Sequence, residues 1–129
     1  MATLNVSLTL SSTDVSSDNL NMTVTDALTV GPPQAGLSKL AANANGGADV
    51  TLHTASANPT YFFIKHTGFQ SDGSTSTTNK LEVKLGSTDS LRLKAGEFAF
   101  LPVVTGAAVK VVSNDAQTVL VEYAYFSAA

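Results

Sequence analysis

The chain has 129 residues, a net charge of −3 and no cysteine, so a thiol nucleophile, a cysteine zinc site, an iron–sulfur cluster and a disulfide scaffold are all excluded. Only 13% of its residues are charged, against about 25% in ordinary soluble domains, and Ser and Thr supply the missing polarity. That balance leaves no basic footprint for nucleic acid, and no apolar run reaches the roughly 18 residues of a membrane helix. Area scaling gives a folded surface of about 6,500 Å², so a single domain spanning 1–129 can bury a core without staples.

The patterning is β almost throughout. Leu4, Val6, Leu8 and Leu10 alternate with Asn5, Ser7 and Thr9, the period of a strand with one apolar face. Leu20, Met22, Val24, Leu28 and Val30 keep that parity, and Asp26 on the apolar side predicts a bulge or a break. Gly31-Pro32-Pro33 is expected to end the run, because proline donates nothing to a ladder. Residues 34–48 read as a long crossover connection between sheets. Leu37, Leu40 and Ala41 leave room for one helical turn before Asn43-Ala44-Asn45-Gly46-Gly47 breaks it.

Val50 and Leu52 mark the next strand. Tyr61-Phe62-Phe63-Ile64 is apolar on both faces and turns polar at Lys65-His66-Thr67. Residues 70–79 hold no aliphatic or aromatic side chain, which predicts a flexible polar loop from which Ser74–Thr77 can be deleted without loss of the fold. Leu81, Val83 and Leu85 alternate, as do Leu91 and Leu93, and Gly96 suits a turn at Lys94–Glu97. Phe98–Val104 is apolar at every position, and Pro102 assigns it to an edge or a bulge. Val109 and Val111 precede a last strand, Thr118–Phe126, with Val119, Val121, Tyr123 and Tyr125 on one side. Eight or nine short strands with one crossover predict an all-β chain, an antiparallel β-sandwich of jelly-roll-like form.

Site chemistry is sparse. His53 and His66 read as strand-end histidines in partial solvent, without metal-ligand spacing. No Gly-x-Ser-x-Gly occurs, and Glu82, Glu97 and Glu122 cannot be paired from the sequence. Asp72-Gly73-Ser74 opens like a calcium loop, but Thr75, Thr77 and Asn79 stand where acidic ligands would follow. The expectation is a protein with no enzymatic activity, no cofactor and no metal.

Three segments carry a resemblance: Tyr61-Phe62-Phe63-Ile64-Lys65-His66-Thr67, Leu93-Lys94-Ala95-Gly96-Glu97-Phe98-Ala99-Phe100-Leu101-Pro102, and Val119-Leu120-Val121-Glu122-Tyr123-Ala124-Tyr125-Phe126. In this order they resemble small virion proteins of tailed phages, particularly marine and cyanobacterial ones. There an "-Ile-Lys-Asn-Thr-" strand, a "-Lys-x-Gly-Glu-x-x-x-x-Pro-" turn and a "-Glu-Tyr-x-x-Phe-" ending recur. His66 departs from the commoner Asn, and the first 60 residues match only in being strand-rich.

The resemblance implies a capsid decoration, or cement, protein on the virion surface. Its partner would be the major capsid protein, it would assemble as a homotrimer, and it would engage neither nucleic acid nor membrane. The start of the chain, without the basic and apolar stretches of a signal peptide, fits synthesis in the host cytoplasm. The competing expectation is a carbohydrate- or receptor-binding module of a phage tail or fibre.

The doubly apolar strands exceed what one core needs and point to an oligomer. Leu4, Val6, Leu8, Tyr61, Phe63, Phe98, Phe100 and Leu101 are the candidate contacts with a second copy or with the shell. Leu4–Leu10 either pairs within its own sandwich or adds to a partner's exposed sheet edge.

Overall fold

In the computed structural model, which describes residues 2–128, the chain is all β. Its strands are β1 (Ala2–Ser12), β2 (Leu20–Ala42), β3 (Val50–His53), β4 (Thr60–His66), β5 (Leu81–Leu85), β6 (Thr88–Leu93), β7 (Phe98–Val103), β8 (Val109–Ser113) and β9 (Val119–Ala128). A five-stranded sheet runs in the order β1-β2-β9-β4-β7, and a four-stranded sheet in the order β3-β8-β5-β6. The pairing is nested about the β5–β6 turn: β5 meets β6, β4 meets β7, β3 meets β8 and β2 meets β9. That is an eight-strand hairpin wound into a sandwich, the jelly-roll arrangement, with β1 added at one edge.

Strand period decides what lies between the sheets. Thr60, Phe62, Ile64 and His66 alternate inward on β4, as do Leu81 and Val83 on β5 and Val109 and Val111 on β8. Val119 and Val121 join them from β9. Phe62 is 1% exposed and lies between Tyr123 and Tyr125, with ring centroids 6.1 and 5.9 Å away and planes within 8° of parallel.

The N-terminal part departs most from the expected outline. β2 does not stop at Gly31-Pro32-Pro33 but continues to Ala42, so residues 34–42 are strand, without a helical turn. The ladder with β9 shifts register between Gly31 and Gln34 and again between Ala35 and Ser38. The two prolines fall inside the first irregularity, where no ladder donor is needed, and the chain crosses to the second sheet only after Ala42. Asp26 causes no break; it pairs opposite Val6 in an unbroken ladder. Its side of the ribbon is open to water, so the carboxylate stays hydrated.

β1 and the first half of β2 form a projecting arm. β9 reaches only to Val30, opposite Ala128, so residues 20–29 pair with β1 alone. The accessible surface, 7294 Å², exceeds the roughly 6,500 Å² that scaling gives for a compact chain of this mass.

The polar loop is tied down by hydrogen bonds instead of burial. Phe69 bridges Ser76, Thr77 N–H donates to Gly68 O at 3.0 Å, and Leu120 N–H donates to Phe69 O at 2.8 Å. Thr77 is 4% exposed, and its hydroxyl donates to Gln117 Oε1 at 2.8 Å. Asp72 Oδ1 accepts from the amides of Ser74 and Thr75, and Oδ2 from the Thr75 hydroxyl. These bonds, with the Thr75 hydroxyl first, pull the Asp72 carboxyl down from its ordinary 3.8 to about 2. A lowered carboxylate stabilises the loop fully above the ordinary value, and the contribution fades as pH falls from about 4 toward 2.

Candidate functional site

Both histidines are interior, which corrects the expectation of partial solvent. His66 is fully buried because it continues the inward parity of β4. Gly68 N–H donates to its Nδ1 at 2.9 Å, so the proton sits on Nε2, which donates to Asn79 O at 2.7 Å. With both nitrogens committed, His66 holds the loop to β4 and presents no free atom for chemistry.

His53, 5% exposed, has its Nε2 3.2 Å from Thr60 Oγ1 and its ring 4.4 Å from that of Tyr125. Burial lowers its pKa below 6.5. The unfolded chain then binds the extra proton first, so stability is complete above about pH 6.5 and declines as pH falls from there toward the lowered folded value. Thermal unfolding between pH 7 and 5 is expected to show a falling midpoint that His53→Gln flattens. An unchanged profile in that variant would assign the decline to another group.

The feature with functional shape is on the other face of the five-stranded sheet. Along β7, Ala99, Leu101 and Val103 turn toward the core, while Phe98 and Phe100 point outward and stay 59% and 37% exposed. Phe63 pairs opposite Phe100, and Ala124 pairs opposite Phe63, so one apolar row crosses β7, β4 and β9. Tyr61 stacks on Phe100 at its edge, with ring centroids 6.4 Å apart and planes 9° from parallel.

The arm continues this surface. Register sets Leu4 against Leu28, Leu8 against Val24 and Leu10 against Met22 on one face, and Thr3 against Thr29 and Thr9 against Thr23 on the other. Val30 sits opposite Ala128, which puts the leucine face on the same side as Ala124 and Phe126. The sheet curls around that side into a groove of about 810 Å³, lined by Leu4, Val6, Leu8, Val24 and the lone carboxylate of Asp26 from the arm and by Leu37, Phe63, Phe98, Phe100 and Phe126 from the body.

Of the sequence-derived contact residues, Leu4, Val6, Leu8, Phe63, Phe98 and Phe100 line the groove and Tyr61 flanks it. Leu101 does not belong to it. One position out of step with Phe100 on the strand, it packs against the core. Val24, Leu37 and Phe126 are groove residues that the linear pattern did not single out. Alternation marked Val24 and Phe126 as facing one side of a strand, but nothing local told that side from the core.

The turn that carries much of the resemblance is a piece of scaffolding. Gly96 has φ +85°, its N–H donates to His66 O at 2.9 Å, and Glu97 accepts the Lys94 amide on Oε1 at 2.6 Å. Among the described residues, no three of His, Asp and Glu converge as metal ligands would. No protein-family model and no curated protein matches the chain.

Proposed function

We propose that this chain is a non-enzymatic structural protein of a phage virion, a capsid decoration protein that binds and stabilises the major capsid protein shell. One observation supports it most: the curled sheet keeps a second, mostly apolar face, interrupted by Asp26, open beside the arm. Contiguous apolar patches of this kind are characteristic of surfaces that bind other proteins. The ordered resemblance in residues 61–126 supplies the particle, and the sparse charge suits a contact made by apolar burial and main-chain hydrogen bonds.

The test is retention on purified particles. Bound copies are expected to survive a rise in salt from about 0.1 to 0.5 M, which shortens the screening length and weakens exposed charge pairs. Phe98→Asp together with Phe100→Asp should cut retention at least about tenfold, equivalent to roughly 1.4 kcal/mol. Both side chains are exposed, so the fold itself should tolerate the change. Loss of the wild-type protein in high salt would show that charge holds it. A copy number of a few per particle would place it at a tail or fibre tip, as a receptor- or carbohydrate-binding module.

A further inference from the structure

The two sheets end in four edge strands, three of them blunted, and the stretches of β2 left open beyond its partners carry Asp26, Pro32, Pro33 and Lys39. β3 is only four residues long, β6 carries Asp89 and Arg92, and β7 carries Pro102. Short strands, charges and proline are the usual devices that stop an edge from pairing with another chain. β1 has none of them: it offers 11 residues, uncharged and free of proline, with one side unpaired.

From this contrast we infer that β1 pairs with β1 of a second copy, antiparallel about a twofold axis centred on Ser7. The occupant follows from the arm's own requirements. An isolated two-stranded ribbon is marginal in water, and three or more strands with an apolar face are needed for independent stability. Two arms side by side make four strands, β2-β1-β1-β2, within one continuous sheet.

The symmetry fits the sequence along the whole strand. Centring on Ser7 sets Ala2 against the partner's Ser12, Leu4 against the partner's Leu10 and Val6 against the partner's Leu8. Apolar residues therefore meet apolar residues on one face, and Asn5 meets the partner's Thr9 on the other. The antiparallel direction sets each arm tip, where Leu8 and Leu10 are both 43% exposed, beside the base of the partner's arm. The pairing engages the 11 residues of β1 on each copy along its full length. A threefold trimer built on β1 would have to join it to a different edge; the other edge of this sheet is β7, where Pro102 lacks a donor.

The test uses the full chain, whose lack of cysteine gives a clean background. Sedimentation at 1–100 µM is expected to give twice the 13.3 kDa chain mass. Ser7→Cys should oxidise to a covalent dimer at least about tenfold faster than Ser11→Cys, because only residue 7 meets its own copy, with Cβ atoms about 5 Å apart. Ser7→Lys and Ser7→Glu should each weaken the dimer about tenfold through directly opposed like charges, and their mixture should restore it. Ser7 is exposed, so these variants should fold, which circular dichroism checks. A monomer at 100 µM, a trimer mass, or equal cross-linking at positions 7 and 11 would each overturn the pairing. None of these outcomes bears on the retention variants, whose substitutions lie on β7.

Discussion

Phe62→Ala is expected to lower the stability of the isolated protein by about 3–5 kcal/mol, the usual loss when a buried phenylalanine is truncated in a core that relaxes only partly. The ring is 1% exposed and lies between Tyr123 and Tyr125, with His53 on the same cluster at 6.3 Å, so three aromatic side chains lose a common neighbour. Against a total of about 5–15 kcal/mol for a typical domain, such a loss is large. Chain-length scaling converts it to a drop of roughly 10–20 °C in the unfolding midpoint. Phe63, the next residue, faces the groove, and Phe63→Ala should cost well under half as much in the isolated protein. Equal losses at the two positions would mean that the outer face is as well covered as the inner one, and the groove would lose its meaning as a binding surface.

Deleting Ser74–Thr77 should also destabilise the fold, by roughly 3 kcal/mol or more. Composition alone predicts no effect, but the segment removes the Thr77 amide bond to Gly68 O and the Thr77 hydroxyl bond to Gln117. It also removes both amides that Asp72 holds and the oxygen that accepts the Asn79 amide. The three hydrogen bonds of Thr77 contribute about 1 kcal/mol each net. Thr77→Val removes the two hydroxyl bonds alone and should cost about 1–2 kcal/mol by denaturant unfolding. An unchanged midpoint in the deletion would make the loop dispensable, as its composition suggests. Slow amide exchange at Thr77 and Leu120 would give independent support for the anchored loop.

Retention by the Phe98 and Phe100 face and self-pairing by the β1 edge use different surfaces, so the two can coexist on a particle. A twofold pair of arms would leave both grooves on the same side of a continuous sheet, since pairing about Ser7 preserves side-chain parity. The shell would then meet two apolar faces at once, and such bivalency raises apparent affinity without any new contact.

The sequence by itself determined the strands and their faces. Side-chain direction in a strand alternates at every residue, so the inward set Phe62, Ile64, Val119 and Val121 was legible from spacing alone. The doubly apolar stretches at Tyr61–Ile64 and Phe98–Val104 already announced a second buried or bindable face for the same reason. Gly96 at its turn was equally local, because only the backbone conformation of that one residue was at issue.

Tertiary structure decided the rest, wherever the partner lies far along the chain. The loop 70–79 is held by Gln117 and Thr118, some 40 residues away, and hydrogen bonds of that kind leave no periodic trace. His66 looked like a polar strand end until Asn79 and Gly68 supplied partners for both ring nitrogens. β2 passed through Gly31-Pro32-Pro33 because β9 lay beside it on the far side of the irregularity, where Gln34 and Ala35 resume pairing with Phe126 and Tyr125. Which apolar face became core and which became groove was set by where the second sheet packs. A strand's alternation states that it has two faces; only the neighbouring layer chooses between them.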